Sequence, residues 1–279
     1  MSLQDIDKNF KLGQIENTEE LVYYDIPNEN FDLYGVFYDK ENKCFLRMDY
    51  KKACKVSQGV KVFCKNTSGG RLRFSTDSKK LEIRVNYNDL NIMSHMAIEG
   101  SSGFMLVCEN DDETVGFCKM LPPTWEQKTG YTLQIDLPNS KMQNYTLWFP
   151  LYNDVKTLTI GLTKNSKVTN GKKYKDIKPI LYYGSSITQG GCASRPDNSY
   201  SALISKRTNT DFVNLGFSGS GLAEEDMVKY LSKIDCSLFV CDYDHNAPNV
   251  EYLKNTHYRL YEIFRKQQKD TPILFLSAP

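Results

Sequence analysis

Pro179-Ile180-Leu181-Tyr182-Tyr183-Gly184-Ser185-Ser186-Ile187-Thr188-Gln189-Gly190 is the stretch on which the fold turns. Its first five residues form a short apolar run bounded by proline and glycine, which reads as a buried strand. Gly184-Ser185-Ser186 then makes a turn of small residues at the strand's carboxyl end. Open α/β sheets place their chemistry at that end, where strand ends and helix starts converge. A tight turn there can expose a hydroxyl for attack on a carbonyl. Gly and Ser also dominate ordinary turns for backbone reasons alone, so the neighbouring segments decide the reading.

Downstream, the segments alternate in type. A helical pattern near 199–208 carries Tyr200, Leu203, Ile204 and Arg207 at helical spacing. Phe212-Val213-Asn214-Leu215 reads as a strand, 223–234 as a helix with Met227, Tyr230 and Leu231 on one face, and Ser237-Leu238-Phe239-Val240-Cys241 as a continuous apolar strand. A long helix over about 249–268 carries Tyr252, Tyr258, Leu260, Tyr261 and Phe264, and Pro272-Ile273-Leu274-Phe275-Leu276 is a last strand. This βαβαβαβ order implies a parallel sheet with right-handed crossovers and helices on both faces. Strands 179–183 and 212–215 are therefore expected to pair in parallel.

Three strand ends then fall on one edge. They carry Ser185-Ser186, Gly216-Phe217-Ser218-Gly219-Ser220-Gly221 and Asp242-Tyr243-Asp244-His245-Asn246. A hydroxyl, a glycine N–H and a side-chain amide meeting there are the parts of a nucleophile and an oxyanion hole.

These three blocks resemble those of the SGNH (GDSL-type) hydrolases. Gly184 to Gly190 is similar to the first block, with Ser185 where Asp is common; Asn214 to Gly219 is similar to the second, and Asp242 to Asn246 to a variant of the third. The resemblance implies a flavodoxin-like, three-layer hydrolase domain and a serine esterase. Ser186 is then the nucleophile, with its own N–H, the Gly219 N–H and the Asn246 amide as oxyanion donors. Ser185 stands as the alternative nucleophile, and Ser185 and His245 as substrate-lining. The family's last block, an Asp and a His three residues apart near the C-terminus, is absent before Pro279. The histidines are His95, His245 and His257, none in such a setting after the last strand, so the general-base His is not in this chain. At most residual esterase activity is expected of it, with exposed apolar surface around Ile273, Leu274 and Phe275. A downstream Asp-x-x-His in a longer native protein would restore the base.

The first half is patterned differently. Residues 45–48, 60–64, 71–76, 81–85, 104–107, 131–135 and 157–161 are β-rich or alternating runs, separated by turns at 67–70, 110–112 and 138–140. Many short strands at even spacing suggest an antiparallel β-sandwich or jelly roll. This too resembles a known unit, the β-sandwich (GxDLY-type) that precedes the hydrolase domain in a subset of SGNH esterases. Arg71 to Ser78 and Gly100-Ser101-Ser102-Gly103-Phe104 carry the likeness. The family usually continues Asp-Leu-Tyr where Met105-Leu106-Val107 stands; Phe31-Asp32-Leu33-Tyr34 occurs separately. The expected organisation is a sandwich over 1–165, a polar linker over 166–176 and the hydrolase-like domain over 177–279.

At 279 residues the chain can bury two cores. A formal net charge of +1 offers nothing to nucleic acid or a membrane surface. No apolar run approaches the roughly 20 residues that span a bilayer, and residues 1–8 lack a signal peptide's apolar core. The eight cysteines include no C-x-x-C pair and no zinc spacing, which fits reduced thiols and a cytoplasmic location. Cys192 lies in the loop after Ser186. Asp242 and Asp244 could bind a metal, though capping and solvation of the loop explain them, and no metal or cofactor is expected. Gly219-Ser220-Gly221-Leu222-Ala223-Glu224 imitates a dinucleotide fingerprint, but Glu224 stands where the third glycine would be. The expected partner is a small ester or an acylated carbohydrate; a homo-oligomer is left open. A binding protein on the same fold without a catalytic base is the competing class.

Overall fold

A computed structural model describes residues 20–109, 115–138 and 141–277. The expected turn at 110–112, residues 139–140 of the turn at 138–140, and the N-terminal residues 1–8 lie outside them. Among the described residues, no helix is long and apolar enough to cross a membrane.

The first half runs β1 (Leu21–Ile26), β2 (Asp32–Tyr34), β3 (Phe37–Asp39), β4 (Cys44–Leu46), α1 (Tyr50–Val56), α2 (Gln58–Phe63), β5 (Arg71–Thr76) and β6 (Lys80–Asn86). It continues with α3 (Ile98–Ser101), β7 (Phe104–Glu109), β8 (Val115–Leu121), β9 (Gly130–Asp136), β10 (Gln143–Trp148), β11 (Thr157–Thr163) and β12 (Val168–Asn170). One antiparallel sheet has the order β1-β11-β6-β9; a second runs β12-β5-β10-β7-β8, with β2 also on β5. Leu81, Ile83 and Ile160 from the first sheet share one apolar cluster with Leu72, Phe74, Leu106 and Leu147 from the second. The strand β12 lies within the polar segment 166–176.

The central strands of the second sheet, β5, β10 and β7, are buried on both faces, and their alternation shows how. Successive strand residues point to opposite sides. Leu72, Phe74, Phe104 and Leu106 face the antiparallel core. Met105, Val107 and Trp148 join a different cluster, with Tyr182, Phe212 and Val240 of the second half. Arg71 and Arg73 alternate with that core pair along β5, and both are buried. The two halves therefore meet along an extensive seam.

The run 60–64, read above as a strand, is a correction. It belongs to α2 and its cap. Ser57 accepts the Val60 N–H at 3.3 Å, an N-cap that starts a helix. Val60 and Cys64, four residues apart, are buried while Val62 is 51% exposed, so the burial has helical and not strand period. Asp49 caps α1 in the same way through Lys52 N at 2.8 Å.

The second half runs β13 (Ile180–Gly184), α4 (Ser186–Gln189), α5 (Tyr200–Thr208), β14 (Phe212–Gly216), α6 (Glu225–Leu231), β15 (Leu238–Asp242), α7 (Val250–Gln267) and β16 (Ile273–Phe275). Its sheet has the order β14-β13-β15-β16, parallel throughout. One face packs Leu181, Tyr183, Leu215 and Phe239 against Met227 and Val228 of α6 and Leu260 and Phe264 of α7, with Ala53 and Val60 from α1 and α2 in the same cluster. On the other face α5 contributes Ala202, and the second antiparallel sheet supplies most of the remaining cover. The face of α5 that packs is the small one: Ser201, Ala202 and Ser205 are buried, while Leu203 and Ile204 are each 38% exposed. Leu274 and Leu276 on and beside the edge strand β16 are exposed.

Candidate active site

Strand β13 is the middle of the sheet's first three strands, and its end is crowded. A Cβ on Gly184 would meet Thr188 Oγ1 at 2.2 Å and the Asp242 carbonyl oxygen at 2.3 Å, so only glycine fits. Ser185 follows in extended conformation as the N-cap of α4. Its N–H donates to Asp242 O at 3.0 Å and its Oγ accepts the Ile187 N–H at 3.2 Å. Ser185 is 1% exposed. Contrary to the substrate-lining expectation, it lies beneath the turn, with its hydroxyl committed to the cap.

Ser186 is the first residue of α4 and is half-buried. Its carbonyl accepts from Gly190 N, Gly191 N and the Tyr152 hydroxyl at 3.0, 2.7 and 3.3 Å. Neither its Oγ nor its N–H has a hydrogen-bond partner among the described residues. A first-turn N–H without a partner is the orphan donor that every helix start offers.

The second turn lies beside it. Phe217 N donates to Gly184 O at 2.9 Å, and Phe217 O accepts Ser220 N and Gly221 N at 3.0 Å each. Gly219 sits at φ +61°, with open space where a side chain would be; its N–H also has no partner among the described residues. Ser218 N donates to Gln189 Oε1 at 3.0 Å.

Asn246 occupies a different place from the one expected. Its Nδ2 donates to Phe217 O at 3.1 Å and to Gly221 O at 3.2 Å. An amide nitrogen has two hydrogens, and both are engaged. Here Asn246 braces the turn that presents Gly219 and offers no free donor.

His245 is exposed, with Nε2 3.7 Å from Asp242 Oδ1. Asp242 is buried, and its Oδ2 accepts the Thr188 hydroxyl at 3.1 Å. Desolvation pushes the Asp242 carboxyl above its ordinary value, against the opposing pull of Thr188 and His245. Ligating atoms of Asp242, Asp244 and His245 lie within 4.8 Å of one another, so the acidic pair and its neighbouring histidine do converge. His257 stands apart in α7, its ring 4.6 Å from that of Phe275. Cys192 is exposed and its Sγ donates to His95 O at 3.7 Å. None of the three histidines hydrogen-bonds Ser186.

Several residues at the site went unread in the sequence. Gln189 is fully buried behind Ser218. Tyr152, in the loop after β10, reaches the Ser186 carbonyl and also lines a cavity of about 420 Å³ together with Tyr50, Lys65, Asn66, Asp89 and Asp154. Arg47 is 4% exposed and donates to the carbonyls of Phe63, Asn214 and Gly216 at 2.7, 3.1 and 2.8 Å. Burial pushes its guanidinium down to about 10, so it stays charged at neutral pH.

Comparison with known proteins identifies the family and the fold. Residues 21–168 match the GxDLY family, described as the N-terminus of Esterase_SGNH_hydro-type, and residues 177–279 match the GDSL-like lipase/acylhydrolase family. No curated protein matches the chain. Among solved structures, a protein described as a GDSL-like lipase from Bacteroides ovatus is 26% identical, with a TM-score of 0.82 over 92% of this chain and 74% of that one. The salicylyl-acyltransferase SsfX3 from a tetracycline biosynthetic pathway is 16% identical, with a TM-score of 0.72 over 91% and 71%. A family two carbohydrate esterase from Cellvibrio japonicus is 12% identical, with a TM-score of 0.58 over 92% and 78%. The last two likenesses concern the fold alone. The chain belongs to the SGNH/GDSL-type esterase family, in the group whose hydrolase region follows a GxDLY N-terminal region.

Proposed function

We propose that Ser186 is the nucleophile of an acyl-ester hydrolase. Its Oγ attacks the ester carbonyl carbon; the C=O π electrons move to oxygen, and the Ser186 proton passes to water or hydroxide from solvent. As the tetrahedral species collapses, the C–O bond to the alkoxy oxygen breaks and that oxygen takes a proton from solvent to leave as the alcohol; water then cleaves the remaining acyl-serine, releasing the carboxylic acid and restoring the Ser186 hydroxyl. The Ser186 and Gly219 N–H groups are the donors for the oxyanion. Asn246 joins them only by releasing the carbonyl of Phe217 or Gly221. The observation that carries this reading is the unpartnered Ser186 hydroxyl, with its own unpartnered N–H, beside a turn whose glycine N–H is open.

The alcohol is proposed to be a carbohydrate and the acyl group a small one such as acetyl. The cavity beside Tyr152 supports this, because aromatic, amide and carboxylate side chains together suit a polyhydroxyl ligand. Among the described residues none hydrogen-bonds Ser186 Oγ, so no residue here is assigned as the base. The 279-residue chain is therefore expected to hydrolyse p-nitrophenyl acetate slowly, with at most the roughly 10³-fold advantage over water that binding and an oxyanion hole supply. That same observation favours the second reading, an ester- or carbohydrate-binding protein on this fold.

A fluorophosphonate probe followed by peptide mass mapping tests the nucleophile. The adduct is expected on the peptide containing Ser186 and is expected to vanish in Ser186→Ala, together with ester turnover. Labelling at another residue, or turnover unchanged in Ser186→Ala, sinks the hydrolase reading. Binding of glucose pentaacetate with no acetate released by the wild type selects the binding protein.

A further inference from the structure

We propose that the N-terminal half is a working part of the oxyanion site, because it clamps the turn 216–220 directly at two points and, through Gln189, at a third between them. This rests on the reading of Gly219 as an oxyanion donor. Arg47 holds the start of the turn, donating to Gly216 O at 2.8 Å with its guanidinium 4.9 Å from the centre of the Phe217 ring. Gln189 holds the middle: its Oε1 accepts Ser218 N at 3.0 Å, while its Nε2 donates to Asn66 Oδ1 at 3.0 Å and to Leu151 O at 3.2 Å. Gly59 holds the far side, where an added Cβ would lie 2.0 Å from Ser220 Oγ.

The middle contact is specified by chemistry. A backbone N–H can only donate and a backbone carbonyl can only accept, so the bonds to Ser218 N and Leu151 O fix which end of the Gln189 amide is oxygen. Asn66 must then turn its own oxygen toward Gln189. The main chain of Gln189 is tied as well, since the Ser68 hydroxyl donates to its carbonyl at 2.5 Å. Asn66, Ser68 and Leu151 all belong to the N-terminal half, and Ser218 immediately precedes Gly219. A shift at Asn66 therefore reaches the Gly219 N–H through one side chain and one peptide unit. Asn66 and Gln189 are positioning residues; neither touches the reacting atoms.

The clamp is tested on the full chain with phenylboronic acid, which forms a tetrahedral adduct on a serine oxygen and places a boronate oxygen where an ester oxyanion would sit. Asn66→Leu removes the acceptor and is expected to weaken phenylboronate binding about 10- to 100-fold, the scale of a misplaced catalytic group. The residual kcat on p-nitrophenyl acetate should fall in parallel while KM stays within about threefold. Asn66→Asp keeps an acceptor oxygen and is expected to recover most of the loss, which a packing defect would not allow. Gln189→Glu turns an oxygen toward Asn66 Oδ1 and Leu151 O and should weaken binding like Asn66→Leu. Folded Asn66→Leu and Gln189→Glu proteins that bind phenylboronate within twofold of wild type overturn the clamp. Amide hydrogen exchange of the wild type gives a second reading, needed if a variant does not fold. Ser218 is expected to exchange at least about 100-fold more slowly than an unfolded-chain amide; exchange at the unfolded rate overturns the clamp. A wild type that does not bind phenylboronate at all removes the reading of Ser186 instead, and Ser218 exchange alone then judges the clamp.

Discussion

The seam between the halves has buried arginine at each end, and the two ends are partnered differently. At the amino ends of the parallel strands, Arg71 is fully buried and forms an ion pair with Asp211, while donating to Gly69 O at 2.6 Å, Phe212 O at 3.1 Å and the Tyr174 hydroxyl at 2.7 Å. Arg73, beside it, pairs with Glu109 at 3.1 Å. At the carboxyl ends Arg47 meets carbonyl oxygens and the face of Phe217, and among the described residues no carboxylate pairs with it. A buried ion pair cancels its own field. A buried cation held by neutral acceptors leaves a positive potential, and here it lies behind the turn where negative charge would develop on a reacting carbonyl. On the reading proposed for Ser186, one end of the seam holds and the other both holds and biases.

The sharpest way to break this comparison is to uncancel the charge at the locked end. Asp211→Asn leaves Arg71 buried without its carboxylate and is expected to cost about 3 kcal/mol of folding stability, read by urea denaturation. The low end of the known range applies because the Asp211 side chain is 26% exposed. Phenylboronate binding should stay within twofold of wild type, since nothing at the amino ends touches the Ser186 turn. A stability change below about 1 kcal/mol would mean that Arg71 draws its support from the carbonyls and Tyr174 alone, and the two ends would then be alike.

Arg47→Met is expected to cost less stability, about 2 kcal/mol. It strands the carbonyls of Gly216 and Phe63, at about 1–3 kcal/mol for a buried unpaired group, yet it also removes the burden of a desolvated cation. Its effect on phenylboronate binding should be about tenfold, where Asp211→Asn has none. Arg47→Lys keeps the charge and loses the fork of donors, so it should recover binding more than stability. Equal effects of the methionine and lysine variants on binding would show that the geometry of Arg47 matters and its charge does not.

Much of this architecture is legible in the sequence, and the part that is not follows a pattern. The parallel strands are continuous apolar runs because both faces of their sheet are covered, and runs of that kind between helical segments read correctly. The turns at Ser186 and Gly219 announce themselves through small residues at strand ends. What stays hidden is every polar residue whose partner lies in the other half. Arg47, between Leu46 and Met48, has the spacing of a solvent-facing strand residue; nothing local shows that Gly216 O awaits it. Arg71 and Arg73 alternate with Leu72 and Phe74 like the wet face of a two-sided sheet, yet that face is buried against Phe212 and Tyr174. Gln189 looks like a helix-surface residue. Asn246 is hidden for a different reason: its partners, the carbonyls of Phe217 and Gly221, lie in its own half, but backbone acceptors leave no mark in the sequence. The helix Gln58–Phe63 was hidden by Val60 and Val62, whose alternation imitates a strand until the Ser57 cap is recognised.

The smallest expected effect concerns the negative charge at the same end. Asp242 is buried 3.7 Å from the exposed His245, with one carboxylate oxygen on the Thr188 hydroxyl. Desolvation raises its carboxyl above the ordinary 3.8, so folding favours its protonated form. The sign of the linkage follows: a group whose pKa is raised on folding contributes fully below its unfolded value and loses that contribution as pH rises through its folded value. Wild type therefore carries a cost from Asp242 at neutral pH that is absent below about pH 4. Asp242→Asn keeps an acceptor for Thr188 and cannot ionise. Its urea midpoint should exceed that of wild type at pH 7, by less than either arginine effect, and the two midpoints should converge as pH falls toward 4. A variant less stable than wild type at pH 7 would show that the Asp242 charge is compensated by His245, as Asp211 compensates Arg71, and the contrast between the two ends would then rest on Arg47 alone.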